Sequence, residues 1–495
     1  MASDIASNDF SGAPAAAAAH DPSHAARNRL VIALLLVSTF VVFLNETIMS
    51  VALPRLMADL GVSASAVQWL TTAFLLTMAV VIPVTGFLLQ RFHTRPVFIL
   101  AMSVFSAGTL ICAVSPGLEL LVVGRVVQAV GTAIMMPLLM TTVMTLVPPE
   151  GRGKVMGNIS IVMSVAPAIG PTISGLILSY LSWRWMFILV LPIGLGALAL
   201  GAWRMQNVTT PRFAPLDLLS VAISALAFGG LVYGLSSLGE ASGQAGAIPG
   251  WAPVAVGAAA MAVFVWRQLL LQKADRALLD LRTFASRNFS VSVAMMAICM
   301  GSLFGVVILL PIYLQNVLGL DTLQTGLLLL PGSLLMGLLG PVVGRLYDRV
   351  GPTRLLVPGA IIVAAVMWAL TLVDQHTSIA ALLTGHIAIS IGLALVFTPL
   401  FTASLSSVPM HLYSHGSAAL GSIQQVAGAA GVALFVALMS LQTASLVAGG
   451  MPQVSALNGG IRLAFLCGAV LSLAAIAAAF FVRRPAVQLG GMPGH

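Results

Sequence analysis

Two ionisable side chains, Glu46 and Arg125, lie deep inside long apolar segments of this chain. The other charged residues, from a total of 22 basic and 14 acidic ones, fall almost entirely in short polar breaks between apolar runs. A charge at membrane depth costs roughly 2.5–3.5 kcal/mol on insertion scales, so it is rarely kept without a partner or a function. A carboxyl group can bind and release a proton, whereas a guanidinium keeps its charge. The pair is therefore the candidate centre for proton chemistry.

The composition predicts a polytopic membrane protein. Hydrophobic residues make up 59% of the 495 residues and charged residues only 7%, whereas soluble domains have about 25% charged residues. The three cysteines, Cys112, Cys299 and Cys467, all lie within apolar runs, and no cysteine or histidine spacing indicates a metal site. Residues 1–28 lack an apolar core, so we expect a disordered cytoplasmic tail and not a signal peptide. Residues 485–495 are expected to form a second cytoplasmic tail.

Fourteen apolar segments are long enough to cross a hydrocarbon core about 30 Å thick. The predicted all-α membrane fold has spans near 30–53, 66–89, 96–115, 118–147, 157–181, 184–203, 216–238, 250–271, 289–315, 324–346, 354–373, 379–405, 416–441 and 460–482. The breaks between them contain proline, glycine and charged residues, as expected of loops.

The distribution of basic residues predicts the orientation of these spans. With a cytoplasmic N-terminus, eighteen lysines and arginines face the cytoplasm, and only Arg55, Arg184 and Arg462 face outside. We therefore expect a multi-pass protein of the cell membrane with both termini in the cytoplasm. The net charge of +8 then reflects contact with anionic lipid and not with nucleic acid.

Two inside loops resemble each other. Residues 86–93 read Gly-Phe-Leu-Leu-Gln-Arg-Phe-His, and residues 344–351 read Gly-Arg-Leu-Tyr-Asp-Arg-Val-Gly, so glycine, leucine and arginine recur in register 258 positions apart. Such self-similarity favours two homologous halves, as in transporters whose repeats move about a central site. The alternative is that basic inside turns look alike by composition alone.

Several motifs carry a resemblance to the fourteen-helix drug:proton antiporter family of the major facilitator superfamily, over roughly residues 30 to 484. These motifs are the inside-loop pattern of 344–351, the first-helix pattern Leu-Asn-Glu-Thr-Ile-Met-Ser-Val-Ala-Leu-Pro at 44–54, Gly-Arg-Val-Val-Gln at 124–128, Ala-Pro-Ala-Ile-Gly-Pro-Thr-Ile-Ser-Gly at 166–175, Trp-Arg-Trp-Met-Phe at 183–187 and Gln-Gln-Val-Ala-Gly at 424–428.

The chain departs from the family pattern at two places. Asn45 followed by Glu46 stands where the first-helix motif usually has aspartate, and Gln90 replaces the usual aspartate of the first inside loop. Both changes are similar to a lincomycin-efflux-type branch. One step along a helix turns a side chain by about 100°, so Glu46 need not have the role of the family's aspartate.

The resemblance implies a major facilitator fold of two six-helix bundles with two inserted helices. The expected units are an N-terminal bundle at 29–205, an inserted lipid-facing pair at 206–282 and a C-terminal bundle at 283–484. Helices one and four line the central cavity of the family, which brings Glu46 and Arg125 to it. Either they pair or lie close together across the cavity, or both face it without touching and each is solvated by its own water.

Burial disfavours the charged form of Glu46, whereas a nearby Arg125 favours it. Motion that separates the two, or admits water from one side, would therefore change the protonation of Glu46. Arg125 is expected to tune the acid. No cofactor is expected, because the proton gradient would drive transport.

Further candidates follow from polarity, position and resemblance. The candidate substrate cavity comprises Asn45, Trp69, Phe74, Gln128, Tyr313, Gln315, Asn316, Gln424 and Gln425. For each of these except Asn45 and Gln128, packing or anchoring at the membrane interface is favoured over ligand contact. For Asn45 and Gln128, hydrogen bonding between helices is an equal alternative. For His386, a hydrogen bond between helices is favoured over a second proton site. The candidate gating and structural residues are Gly86, Gln90, Arg91, Gly170, Pro171, Gly175, Gly344, Asp348 and Arg349.

The function that these expectations favour is proton-coupled export of amphipathic organic compounds by a monomer. Export of lipids or metabolites on the same scaffold is the alternative. A membrane sensor or intramembrane enzyme is disfavoured, because the sequence has no His-Glu-x-x-His, Gly-x-Ser-x-Gly or P-loop motif and no soluble catalytic domain.

Overall fold

The computed structural model describes residues 22–209, 211, 216–240 and 251–484. Within these ranges the structure has no strand and fourteen long α-helices that are apolar enough to span a membrane. The helices are α1 (Pro22–Leu60), α2 (Ala64–Arg91), α3 (Thr94–Val114), α4 (Leu118–Leu146), α5 (Arg152–Tyr180), α6 (Arg184–Arg204), α7 (Leu218–Glu240), α8 (Trp251–Leu271), α9 (Arg287–Asn316), α10 (Thr322–Val350), α11 (Thr353–Leu370), α12 (Ile379–Ser406), α13 (Tyr413–Ala448) and α14 (Gln453–Ala479).

The number and order of the helices confirm the fourteen predicted spans, but the ends differ. The first span was expected at 30–53, whereas α1 runs from Pro22 to Leu60. Residues 22–28, which were expected within a disordered tail, are therefore helical. Both remaining tail segments, 1–21 and 485–495, lie outside the described residues. Pro54 follows the first apolar run, where a proline would be expected to end the helix, but α1 continues through Pro54 to Leu60.

Local sequence signals explain several helix starts. Ser63, Ser286 and Ser378 each accept a hydrogen bond from a backbone N–H in the first turn of the helix that follows. Asp321 and Gln324 form a reciprocal capping box at the start of α10. These side chains satisfy backbone donors that a helix leaves unpaired at its N-terminus.

Consecutive helices alternate in direction, so the connections fall at two ends. We call the end with the connections at 92–93, 147–151, 205–217, 272–286, 351–352 and 407–412 the base. The opposite end carries the described connections at 61–63, 115–117, 181–183, 317–321, 371–378 and 449–452. The base carries many of the basic residues that were expected to face the cytoplasm, among them Arg91, Arg152, Arg204, Arg349 and Arg354. In contrast, Arg55, Arg184 and Arg462 lie toward the opposite end.

The helices pack as two groups with an inserted pair. Helices α1–α6 contact one another, as do α9–α14, and the two groups meet chiefly through α5 with α10 and α2 with α13. Helix α7 packs on both α2 and α13, whereas α8 packs mainly on α7. The expectation of a lipid-facing pair therefore fits α8 better than α7, since α7 bridges the two halves.

Polar contacts tie the inserted pair to the connection that follows it. The Gln268 Nε2 donates to Ser220 Oγ at 2.9 Å, and the Gln268 Oε1 accepts from Leu278 N at 2.8 Å. Arg267 donates two hydrogen bonds to the Asp217 carboxylate, at 2.8 and 3.0 Å. Leu278 and its neighbour Leu279 are buried. The connection 272–286 is thus held against the base.

The Asp217–Arg267 pair predicts a pH-dependent contribution to stability. Hydrogen bonding from Arg267 lowers the pKa of Asp217 to about 2. A lowered folded-state pKa stabilises the fold above the ordinary pKa of about 4, and the contribution is lost as the pH falls from there toward 2. We expect Asp217→Asn to lower the unfolding temperature of purified protein by a few degrees at pH 7, with a difference that shrinks below about pH 4.

The matched control is Asp59→Asn, which breaks the more exposed pair between Arg55 and Asp59. Because exposed pairs contribute little, this variant should unfold close to wild type at both pH values. Equal effects of the two substitutions would contradict a specific role for Asp217.

Candidate functional site

Glu46 lies on α1 with an unsatisfied carboxylate oxygen. The residue is partly exposed, but its Oε2 atom is buried and has no hydrogen-bond partner among the described residues. The amide nitrogen of the neighbouring Asn45, a residue only 2% exposed, is also unpartnered. A buried polar group without a partner is costly. This pair of side chains is therefore poised for a proton, water or ligand that satisfies it.

Arg125 is held on α4 by groups other than Glu46. Its Nη1 donates to Gln128 Oε1 at 2.8 Å, its Nε donates to Leu70 O at 3.4 Å, and its guanidinium carbon lies 4.0 Å from the centre of the Phe74 ring. The side chain is 1% exposed. Every neighbour in this set is uncharged, so the guanidinium is positioned but not neutralised.

The charges of Glu46 and Arg125 are close enough to interact, yet the described residues include no ion pair between them within 4 Å. Direct pairing is therefore absent in this structure, although each charge still acts on the other. A small movement of the Arg125 side chain would be enough to convert this unpaired arrangement into an ion pair with Glu46.

Gln128, expected as a cavity residue, is completely buried between α3 and α4. Its Nε2 donates to Thr109 Oγ1 at 2.8 Å, while its Oε1 accepts from Arg125. Both polar ends of the amide are thus occupied by protein groups. In this structure Gln128 makes the hydrogen bond between helices that was one of the two expected roles.

Tyr313 and Trp69, also expected in the substrate cavity, each contact another part of the protein. Tyr313 is 0% exposed, and its hydroxyl donates to Asp374 O at 2.6 Å, in the connection between α11 and α12. The Trp69 ring on α2 stacks on the Tyr233 ring of α7 at 6.1 Å. Aromatic residues in apolar spans serve packing and cavity lining equally well, so sequence alone does not separate these roles.

The remaining cavity candidates lie on α9 and α13. Gln315 is partly exposed and Asn316 is exposed, at the end of α9. Gln424 has an unpartnered Nε2, and Gln425 Nε2 lies 3.8 Å from the Met78 sulfur on α2. Gln424 therefore remains available to a ligand, whereas Gln425 contacts the other half of the molecule.

His386 makes the expected contact between helices. Its Nε2 lies 2.9 Å from Leu329 O on α10, and its Nδ1 has no partner among the described residues. The close approach of α12 to α10 here depends on Gly332, where a Cβ would lie 2.5 Å from the imidazole.

Four glycines bring α5 and α10 into backbone contact near the base. A Cβ at Gly344 would lie 2.0 Å from Gly153 O, and a Cβ at Gly157 would lie 2.3 Å from Gly340 O. Because the obstructing atoms are backbone, no side-chain rotation could relieve either clash. Small residues of this kind allow helices in a membrane to approach closely.

Asp348 fastens the same contact. Its carboxylate accepts hydrogen bonds from Gly153 N at 2.8 Å and Lys154 N at 2.9 Å, at the N-terminus of α5. A carboxylate is favoured there by the unpaired N–H groups and the helix dipole. Arg349, expected beside Asp348 in the gate, is exposed, and its side chain makes no hydrogen bond or ion pair with another described residue.

The first-half counterpart of this contact is weaker. Gln90 Nε2 donates one hydrogen bond to His411 O at 3.1 Å, and Gly86 packs against His415 at the start of α13. A single bond from a neutral amide replaces two bonds to a carboxylate. Arg91 ends α2 nearby and is partly exposed.

Of the two glycine candidates in the fifth-helix motif, only one lies at a close contact between helices. Gly170 does allow a close contact, since a Cβ there would lie 2.2 Å from Thr47 Oγ1 on α1. Gly175 does not, because a Cβ there would meet nothing within 4 Å. The side chain of Pro171 lies outside the described residues.

Arg152 joins the halves at the base and was missed in the sequence. It is 7% exposed, and its Nη2 donates to Met144 O at 2.9 Å and to Tyr413 Oη at 3.1 Å. Its position just after the break at 148–151 makes it look like an ordinary inside-loop cation. Its burial arises only when α13 packs against it.

Further hydrogen bonds join the two halves between the base and the middle of the helices. They include Thr141 with Ser417 at 3.2 Å and Ser160 with Thr398 at 2.7 Å. The base is therefore the closed end of the molecule, and it is sealed by glycine contacts, by Asp348 and by Arg152.

Residues 35–432 match the family model described as Major Facilitator Superfamily. The chain belongs to this superfamily. Its members with solved structures share the helical fold seen here. A human organic anion transporter, MFSD10, aligns with a TM-score of 0.66 at 15% identity, covering 91% of this chain and 99% of the other.

Several relatives in the superfamily are similar along most of the sequence. The lincomycin resistance protein LmrB of Listeria monocytogenes is 39% identical, covering 92% of this chain and 96% of the relative. The MFS-type transporter YcnB of Bacillus subtilis is 38% identical, with 92% and 95% covered. A multidrug resistance protein B homolog of Mycobacterium tuberculosis is 31% identical, with 80% and 74% covered. This superfamily member is thus a multi-pass membrane transporter and not an enzyme.

Proposed function

We propose that this transporter exports amphipathic organic compounds across the cell membrane in exchange for protons. Its monomer would alternate between a base-closed and a base-open conformation, with both termini in the cytoplasm. On this orientation the conformation described above faces outward. No cofactor takes part, because the proton gradient supplies the free energy.

The observation that carries the proposal is the unpartnered Oε2 of Glu46 beside a positioned but unneutralised Arg125. A buried carboxyl group without a fixed partner can exchange a proton when water reaches it. The relatives that are named for resistance to lincomycin or to several drugs support an organic compound as the exported substrate.

Proteoliposomes test the proposal directly. Vesicles with an acidic lumen should accumulate external lincomycin, and their lumen should become more alkaline as protons leave in exchange. Protein-free vesicles, and protein-containing vesicles treated with a protonophore, measure passive entry. Lincomycin is the first probe because three relatives are named lincomycin resistance protein, and a fluorescent phospholipid is the second.

Accumulation of lincomycin with luminal alkalinisation would support proton-coupled export. Lincomycin flux without proton movement would contradict coupling. Movement of the phospholipid alone would contradict the proposed substrate class and favour lipid export.

A further inference from the structure

Thr109 on α3 is completely buried, and its hydroxyl is hydrogen-bonded to Gln128, the side chain that holds Arg125. Its Oγ1 donates to Phe105 O at 2.8 Å and accepts from Gln128 Nε2 at 2.8 Å. The Gln128 Oε1 then accepts from Arg125 Nη1 at 2.8 Å. Three side chains on two helices thus form one chain of hydrogen bonds.

The direction of this chain is fixed by Thr109. Its hydroxyl hydrogen is used on Phe105 O, so its oxygen can only accept from the Gln128 amide. The Nε2 of Gln128 must therefore face Thr109, and the Oε1 must face Arg125. Without the hydroxyl, the buried Gln128 Nε2 would lose its acceptor, and a shift of the amide toward another acceptor would weaken its bond to Arg125.

Two glycines keep Thr109 within reach. A Cβ at Gly108 would lie 2.4 Å from Gln128 N, and a Cβ at Gly124 would lie 2.6 Å from the Cys112 sulfur. Helices α3 and α4 consequently meet with almost no intervening side chain. The short separation is what allows a threonine, one of the shortest polar side chains, to reach the Gln128 amide.

Gln128 holds Arg125 against a competing attraction. The titratable groups that act on Arg125 are Glu46 from α1 and Cys112 from α3. From α2, Arg125 meets only the uncharged Leu70 carbonyl and Phe74 ring. Weakening the bond to Gln128 would therefore release the guanidinium toward Glu46.

We propose that Thr109 is a positioning residue for proton coupling: through the Gln128 amide it keeps Arg125 from pairing with Glu46. The inference rests on the proposed function, since it concerns the proton step of the same site. Thr109 neither binds the proton nor touches the substrate.

The test is the pH profile of lincomycin-driven proton exchange in proteoliposomes. Thr109→Val removes the hydroxyl at nearly constant shape, so Arg125 gains a pairing position beside Glu46. Because a paired carboxylate holds its proton less tightly, the half-maximal pH of exchange should fall by about one unit. Thr109→Ser restores the hydroxyl and should return the midpoint to within about 0.3 units of wild type.

Thr132→Val is the matched control. Thr132 is also a buried threonine, but its hydroxyl donates to Gln128 O at 3.0 Å and does not touch the amide of that side chain. Its removal should leave the midpoint unchanged. An unshifted midpoint in Thr109→Val, or an equal shift in Thr132→Val, would overturn the proposal.

Gln128→Leu keeps the proposal testable if Thr109→Val does not fold. It removes the link itself, so it should give the same acid shift, and the double variant should shift no further than either single one. Additive shifts of the midpoint in the double variant would show that Thr109 and Gln128 act independently, and would overturn the proposal. Retention of proton exchange by Glu46→Gln would instead refute the proposed function, whatever the midpoint of the Thr109 variants.

Discussion

Replacing Glu46 with glutamine is expected to abolish proton-driven export while the protein still folds. Glutamine keeps the size and one carbonyl oxygen of the side chain but cannot bind and release a proton at the pH of a cell. The buried, unpartnered Oε2 becomes an uncharged amide, so the variant loses the group that responds to water. We expect uphill accumulation of lincomycin in acid-loaded vesicles to fall at least about 100-fold, as for loss of an essential proton carrier.

Glu119→Gln is the matched control, because Glu119 is an exposed acid in the first turn of α4. That variant should transport like wild type. The measurement combines substrate accumulation with luminal pH in the same vesicles, and size-exclusion chromatography checks folding. Full coupled exchange by a well-folded Glu46→Gln protein would eliminate Glu46 as the proton carrier.

A single methyl group at Gly344 is expected to prevent closure of the base. The added Cβ would lie 2.0 Å from Gly153 O, where atoms in contact normally stay more than 3 Å apart. Helices α5 and α10 must then separate. The separation also breaks the two hydrogen bonds that the Asp348 carboxylate accepts from the backbone N–H groups of α5. Charge-assisted hydrogen bonds contribute roughly 1.5–3 kcal/mol each, so Gly344→Ala should lower transport at least about tenfold.

Gly175→Ala makes the same change where a Cβ would meet nothing within 4 Å, and it should transport like wild type. Ser160→Cys reports closure directly, because position 160 lies against Thr398 where the two halves meet. Its labelling by a water-soluble maleimide should rise in the Gly344→Ala background and not in the Gly175→Ala background. Unchanged labelling and transport in both would refute the importance of the glycine contact.

The architecture could be predicted from the sequence because hydrophobic length is a strong local signal. Fourteen apolar runs gave fourteen helices, and the repeated inside loops marked two similar halves. Helix ends were harder, as α1 shows, because proline within an apolar run does not always stop a helix. The ties of α7 to both halves were not visible, since they depend on which faces meet in three dimensions.

The candidate site was only partly predictable. Burial cost singles out Glu46 and Arg125, because charged residues inside apolar runs are rare. The same reasoning cannot tell whether a neutral polar residue faces a cavity or another helix. Gln128 and Tyr313 are examples, since both have their polar atoms occupied by protein groups. Thr109 and Arg152 were missed because a threonine in a span and an arginine beside a loop are ordinary residues in sequence.

The glycine contact between α5 and α10 limits how the molecule can move. A glycine has no side chain that could change rotamer to fill a small gap. The two helices are therefore either in tight contact or separated by space that water can enter. Leakage of ions during the transport cycle would then depend on how long α5 and α10 stay separated. It would not depend on how well side chains fill the space between them. Efficiency of energy use in this transporter thus depends on residues that have no side chain at all.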